Sequence, residues 1–597
     1  MDKKNIGPAL IFGAAFLVFF FFIGPALDEK FAPPQQKVVE TPATAEVEND
    51  GSQKNGVKNL DNPEVPQVTP EKVAETIAEV AETEFKDLAP VTLSTNLFDV
   101  TVDPEEGIKH ILLHDEKDEA SSNVIIGDEQ VPSLFLNGAA SDWEYGQAVV
   151  ESTDSEISIS RPVIGKNLRV VQTIKLLENY QLGTTFKFIN TGSSPISLQK
   201  IGVNCGQMKP IALGEVGMMA GMDQAVDLYD KESERITSEF LTDIIEEVDE
   251  VELAQNLPKG QGKYFAEEAE QGYQWVSVKN RYFAWIVDLE AGFKTAYMQY
   301  KDYKIADPET GEPIAAHLVS AVGVLNDFTI QPNSVHEFEL DCYAGPQKLD
   351  LLSSLSHDKK GVMQLNLFMF WKVGWVGLIS ELMLRALLTL YSGVGSYGIA
   401  IILLTVIIKI LFWRITNKST ESMKKMSALS PKIKEINEKY ADNPQVKQQK
   451  IMELYREGGV NPLAGCLPLL LQMPVFIALF NALRGAIELR HSEFLWVTDL
   501  SLPDTVFSIF GLPIRPLAIA WAATMLIQQK IVPNSADETQ RKVMMFMPVF
   551  MLFVCYGMPS GLTLYWTFST IMSILQYYMS NKKANKEEQT TATAVTG

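Results

Sequence analysis

Four cysteines and six histidines in 597 residues leave little material for a disulfide framework or a metal centre. Cys466 and Cys555 sit inside apolar runs, where a thiol behaves as a small buried hydrophobe. Cys205 and Cys342 lie in the acidic part of the chain, and the sequence leaves open whether they pair. Only His110 and His114, in HILLH, have ligand-like spacing, and no other ligand cluster accompanies them, so no metal is expected. Walker A, G-x-S-x-G and C-x-x-C patterns are missing too. GVGSYG (393–398) satisfies G-x-G-x-x-G but opens an apolar run instead of joining a strand to a soluble helix, which argues against a dinucleotide site. Without a convincing acid/base pair, the chain is not expected to be an enzyme or to carry a cofactor.

Aromatic residues are scarce in 28–90, with only Phe31 and Phe85 among Pro, Glu, Val, Thr, Gln and Asn. Such a stretch cannot bury enough apolar surface to offset its ordering entropy and is expected to be a flexible acidic linker. Charge is unevenly distributed. Residues 1–360 hold 29 Lys and Arg against 59 Asp and Glu, whereas residues 361–597 hold 22 against 15. The two parts suit different solvents, and the acidic field of the first excludes a specific nucleic-acid partner.

What is present are long apolar runs. MDKKN precedes IGPALIFGAAFLVFFFFI, 18 residues without a polar side chain, so residues 1–27 read as an uncleaved transmembrane anchor. Gly24-Pro25-Ala26 leaves signal-peptide cleavage as the alternative. Either way the acidic part lies outside. Residues 91–345 read as one all-β sandwich. SEISISR (155–161), RVVQTIKLL (169–177), TTFKFIN (184–190) and SPISLQKIGV (194–203) carry strand patterning between Gly, Asn and Pro, with a helical break expected near 233–254.

From 346 to 396 a connector and an amphipathic interfacial helix are expected. Further spans follow at 397–416, 461–484, 514–532 and, as a pair, 543–580. Residues 485–513 form a periplasmic loop and 533–542 a cytoplasmic one, and 581–597 is a cytoplasmic tail. Treating the 367–391 run as interfacial places the ten Lys and Arg of 414–460, the Lys530–Lys542 loop and the tail all inside, as the positive-inside rule demands. The expected fold is therefore a multi-domain membrane protein, an α-helical polytopic core of six spans plus a periplasmic sandwich, with both termini cytoplasmic. Residues 417–460 read as a helical hairpin (417–440 and 445–457). Its stripe of Met423, Met426, Ile433, Ile436 and Tyr440 either connects spans or contacts varied apolar clients.

One residue resists the apolar pattern. Lys409 interrupts GIAIILLTVIIKILFWRIT (398–416), one helical turn after Thr405. A charge at mid-bilayer costs roughly 2.5–3.5 kcal/mol on insertion scales. Its stem either snorkels to the headgroups or faces a wet interior. Gln472, Gln528, Gln529, Tyr565, Ser569, Ser573 and Gln576 put further polar groups in the apolar runs. Pro468 and Pro474 free backbone carbonyls that need partners at that depth. These polar groups line either a groove or helix–helix hydrogen bonds.

NPLAGCLPLLLQMPVFIALF (461–480) and FMPVFMLFVCYGMPSGLTLYW (546–566) resemble the YidC membrane protein insertases, specifically over about 365–580. The anchor and large extracytoplasmic domain resemble the Gram-negative inner-membrane form, whose periplasmic domain is a β-supersandwich. The resemblance implies an insertase and folding chaperone that moves client segments from cytoplasm to membrane through a hydrophilic groove, alone or with the Sec translocon. It implies nascent membrane proteins, translating ribosomes, the signal recognition particle pathway and membrane lipids as partners. Lys409 falls where the family has a groove cation, commonly Arg, and Lys gives up the guanidinium fork. Thr405, Gln472 and Gln576 would be groove polar groups, Pro468 and Pro474 helix-kinking positions. Tyr565 and Trp566 match a client-contacting aromatic pair, with Trp in place of a second Tyr. Arg414 departs from the family, where Pro is frequent. A solute transporter and a tethered sugar-modifying enzyme are the weaker readings.

Overall fold

The computed structural model describes residues 89–596, apart from 118–122, 128–132, 139, 141, 211–223, 256, 258, 260–261, 267–268, 307–312, 369–370, 373, 442, 460–466, 510–511 and 532–537. The expected anchor and nearly all of the expected linker lie outside the described residues, as does the NPLAGC stretch. The rest divides into a β unit that ends at Val362 and a helical unit that begins at Met363.

The β unit is built on a 9-stranded antiparallel sheet and a 5-stranded sheet. Its strands obey the two-residue period where one face is covered: Phe98–Asp103 and Gln181–Asn190 alternate buried and half-buried positions. Ile201–Met208 and Tyr273–Lys279 are buried at every position, as central strands between layers must be. Trp275, Trp285, Phe186, Phe188, Phe283 and Phe293 fill the core. Gly206 lets the layers close. Its φ is +97°, and a Cβ there would lie 2.7 Å from the Trp285 ring.

Two expectations are corrected here. SPISLQKIGV is not one strand. Ile196–Leu198 pairs with Phe328–Ile330, Lys200 turns the chain at φ 55°, and Ile201–Met208 enters the 5-stranded sheet. The helical break also starts later. Arg235–Phe240 is a strand paired with Ala225–Asp230, because Ile236, Thr237 and Phe240 suit a pleated surface, and only then does helix α1 (Leu241–Gln255) begin. Cys205 and Cys342 are both buried free thiols. His114 pairs with Asp99 at 3.0 Å.

Helix α2 (Leu349–Ser354) and the segment after it belong to the β unit. Buried charges hold that segment down. The Lys359 ammonium lies 2.7 Å and the His357 ring 3.0 Å from Asp288, which also accepts from Gln274 at 2.8 Å. Trp275 Nε1 donates to the His357 carbonyl at 2.8 Å, and Lys279 Nζ donates to the Val362 carbonyl at 2.5 Å.

The helical unit contains α3 (Gly374–Val394), α4 (Tyr397–Ala428), α5 (Ser430–Lys439), α6 (Pro444–Glu457), α7 (Leu467–Gly485), α8 (Pro516–Ile531), α9 (Glu538–Cys555) and α10 (Ser560–Thr596). Helix α4 does not stop at residue 416. Between Trp413 and Ala428 nothing breaks a helix, and Pro431, in the first turn of α5, is the first residue to do so. The hairpin is thus α5 and α6 on the end of a 32-residue helix. Asn443 caps α6 by accepting from Val446 N–H. Helix α10 likewise continues through the expected tail, which contains neither Pro nor Gly before its last residue.

Among the described residues, α3 and α4 are long and apolar enough to cross a membrane. They join through GVGSYG. Gly395, at φ +68°, ends α3, Ser396 precedes α4, and the Tyr391 and Tyr397 rings stack 3.8 Å apart across the bend.

Removing Asp288 leaves the nearly buried Lys359 uncompensated, so Asp288→Ala should cost about 3–5 kcal/mol of unfolding free energy. Lys187→Ala, which breaks a half-exposed pair with Glu337, should cost about 0–1 kcal/mol. Denaturant unfolding of the full chain compares the two, and equal losses would refute the buried-charge account. Gly206→Ala should cost about 1–3 kcal/mol in the same assay through backbone strain, with contact against Trp285 adding to it.

Candidate functional site

The site forms where α4, α7, α8 and α10 meet. Helix α10 carries Tyr565, Ser569, Ser573 and Gln576 at spacings of four, four and three, so they share one face over about 16 Å of rise. That face meets α4 at two levels and α7 at a third.

At the first level Lys409 Nζ donates to Ser573 Oγ at 2.9 Å, and Ser573 Oγ donates to the Ser569 carbonyl at 3.0 Å. The ammonium therefore turns inward toward α10. Among the described residues no carboxylate pairs with it. An ammonium has three N–H donors, and Ser573 takes one. The ion is held by a dipole and keeps its charge uncompensated.

Nearer the hairpin, Gln576 Nε2 donates to Thr416 Oγ1 at 2.6 Å, to Asn417 Oδ1 at 2.9 Å and to the Trp413 carbonyl at 3.3 Å. Gln576 is 6% exposed, so this is a helix–helix tie more than an open polar surface. In the other direction along α10, Gln472 of α7 donates to the Tyr565 hydroxyl, and Tyr565 is buried. Thr405 does not join Lys409. Its hydroxyl donates to the Ile401 carbonyl of its own helix at 2.7 Å, and the residue is fully buried.

Trp566 is half-buried between two rings, Phe476 of α7 at 5.3 Å and Trp521 of α8 at 4.6 Å. The stack ties three helices together. Pro474 lies inside α7, whereas Pro468 is the second residue of that helix, where a missing N–H costs no ladder bond. Of the expected residues, then, the structure joins Gln472 to Tyr565, links Lys409 to the face of α10 that carries Gln576, and leaves Thr405 apart. Sequence reading singled out neither Ser573 as the partner of Lys409 nor Trp521 as the partner of Trp566. The four-residue ladder of hydroxyls on α10 was a signal for the first. Nothing in the sequence pairs the two tryptophans.

Comparison with known proteins fits this architecture. Residues 137–386 match the family described as YidC periplasmic domain, and residues 389–588 match the 60Kd inner membrane protein family. The membrane protein insertase YidC of Syntrophobacter fumaroxidans is 37% identical over 317 residues, 52% of this chain and 54% of that one. The corresponding protein of Pelobacter propionicus is 38% identical over 320 residues, covering 53% and 55%. That of Syntrophus aciditrophicus is 43% identical over 256 residues, covering 43% and 44%. The chain thus spans about half the length of the curated relatives it matches. A solved structure of an active YidC insertase with its first transmembrane domain resolved covers 85% of this chain and 98% of its own, at 19% identity and a TM-score of 0.33. The two family matches adjoin almost without a gap and together cover the chain from 137 to 588, and on that ground the chain belongs to the YidC family, inner-membrane proteins with a periplasmic domain.

Proposed function

We propose that this chain is a membrane protein insertase and folding chaperone. Client transmembrane segments pass from the cytoplasm into the inner membrane along a hydrophilic groove open to cytoplasm and lipid, alone or with the Sec translocon. Clients arrive as nascent chains from ribosomes and the signal recognition particle pathway. The single observation that carries this reading is the inward-turned, uncompensated Lys409 ammonium against Ser573. A snorkelling lysine would reach for the headgroups; this one spends its donor on the neighbouring helix.

The mechanism follows from where that charge sits. An acidic client tail entering from the cytoplasm gains a counter-ion at Lys409, whose two remaining N–H donors are available to a carboxylate. The tail then has a shorter apolar layer to cross. The client's apolar segment slides along the exposed apolar face, which includes Ile407, Ile410 and Leu411 of α4, and partitions into lipid. Burial of that segment supplies the free energy at about 25 cal/mol per Å².

The topology in this reading has six spans, with α3 in the interface, both termini cytoplasmic and a β-supersandwich in the periplasm. The α3 assignment draws support from its outer face, where Leu378 and Leu382 are exposed beside the exposed Glu381–Arg385 pair at 2.9 Å. Positive-inside parity supports it as well.

Insertion of a small client with an acidic translocated tail into vesicles holding the full chain tests the role of Lys409. Lys409→Ala should slow insertion by about tenfold, equivalent to about 1.4 kcal/mol of barrier, and leave a neutral-tailed client little changed. Lys409→Arg should preserve the rate. Equal rates for Ala and wild type on the acidic client would refute the groove charge.

A further inference from the structure

Between α7 and α8 the chain presents a surface that the insertion mechanism does not use. From Thr505 to Ile514 the sequence contains no charged residue. Phe507–Ile509 and Leu512–Ile514 form an antiparallel pair, with Phe507 opposite Ile514 and Ile509 opposite Leu512. Val506 is 51% exposed, Phe507 54%, Ile509 47% and Leu512 60%. Antiparallel partners share a face, so Phe507, Ile509, Leu512 and Ile514 form one apolar face, and Ser508 and Pro513 share the other. An isolated two-stranded pair is marginal in water, and one that exposes an unbroken apolar face is more so.

The pair is nonetheless held firmly at its base. Arg515 Nε donates to Thr505 Oγ1 at 3.2 Å, and its Nη1 donates to the Tyr556 carbonyl at 2.8 Å. The Tyr556 hydroxyl donates to the Pro513 carbonyl at 2.5 Å. Asp504 accepts from the Leu517 backbone N–H at 2.5 Å and from Trp496 Nε1 at 3.3 Å. The base is thereby fixed to the first turn of α8 and to the turn between α9 and α10.

We infer that this strand pair is a lipid-docking hairpin that enters the bilayer leaflet at the end of the bundle where α8 begins. The inference rests on the reading of the helical unit as a bundle of spans, α4 and α8 among them. Three features select lipid as the occupant. Neither face carries a charge, and Ser508 is the one polar side chain on the two strands. The residues at the base, Arg515 and the half-exposed Trp496, are of the types that settle at headgroup level. The exposed apolar surface continues onto α8 at Ile519. The hairpin would fix the depth of α8 by its apolar strands, as an interfacial anchor does.

Nitroxide labels at Phe507→Cys and, separately, Leu512→Cys test this in the full chain, with Cys205, Cys342, Cys466 and Cys555 replaced by Ala. The chain is reconstituted in phosphatidylethanolamine/phosphatidylglycerol vesicles. Collision with oxygen and with a water-soluble nickel chelate is read against labels at Ile410→Cys on α4 and Glu421→Cys on its polar extension. The expected result is an oxygen-to-nickel ratio at both hairpin sites that matches Ile410. A ratio that matches Glu421, while Ile410 remains lipid-like, overturns the hairpin and leaves the span reading intact. A water-like Ile410 overturns the span reading and this inference with it. Hairpin labels shielded from both reagents would mean that a second copy or another protein covers the strands, which also overturns lipid docking.

Discussion

An ammonium group placed among apolar side chains must be met by dipoles, by a counter-charge or by water, and the arrangement of the helical unit around Lys409 follows from that requirement. Ser573 meets one of its donors, and Ser573 is itself anchored to the carbonyl of Ser569 one turn back. The face of α10 that does this must be polar, and a polar face in an apolar bundle has to be turned to its neighbours. Gln576 and Tyr565 extend it, and their partners Thr416, Asn417 and Gln472 bring α4 and α7 against α10. Such hydrogen bonds average about 0.6 kcal/mol each in membranes, so their effect is more to fix orientation than to supply stability. The stack of Trp566 between Phe476 and Trp521 supplies apolar contact at the remaining side.

The β unit meets the same requirement in the opposite way. There, two buried carboxylates find counter-charges: Asp288 lies 2.7 Å from Lys359, and Asp227 lies 3.7 Å from Lys279. Each of these groups also serves a chain segment that leaves the sheet, since His357, Lys359 and the Val362 carbonyl belong to the stretch before the helical unit begins. Compensated charge holds a structure in place. Charge without a compensating partner, as at Lys409, leaves binding energy for something that arrives from outside. That contrast with the Asp288 cluster is why the proposed function is centred on Lys409.

Periodicity made much of this legible. The alternation in 155–190 gave strands, and the apolar runs gave helices, because both patterns are local. Lys409 stood out because no bland pattern accommodates a charge in that run. What stayed illegible was either a boundary without a local breaker or a partnership across the chain. Nothing in RITNKSTESMKK ends a helix, so a change in hydropathy at Trp413 was mistaken for a structural boundary. Lys200 terminates a strand through a left-handed conformation that lysine does not advertise. Thr405 shares a face with Lys409 by spacing, yet its hydroxyl satisfies its own helix, an option open to any helical threonine that spacing does not reveal. Trp521 and Trp566 lie 45 positions apart on different helices, and only packing brings them together.

The continuity of α4 has a mechanical consequence. Lys409 and the base of the hairpin lie on one unbroken helix, and about 28 Å of rise separates Lys409 from Ala428. Helices bend sharply only at particular residues or defects, and this stretch contains no Pro or Gly. The polar extension is tied again to α10, where the Lys424 ammonium lies 5.3 Å from the centre of the Tyr577 ring, beyond the Gln576 contacts. In the proposed mechanism, a client that pushes on α5 or α6 acts on a lever whose far arm carries the Lys409 charge, with α10 as the fulcrum. The base of the hairpin and the charge are thus carried by one continuous helix, and a tilt at one end is transmitted to the other.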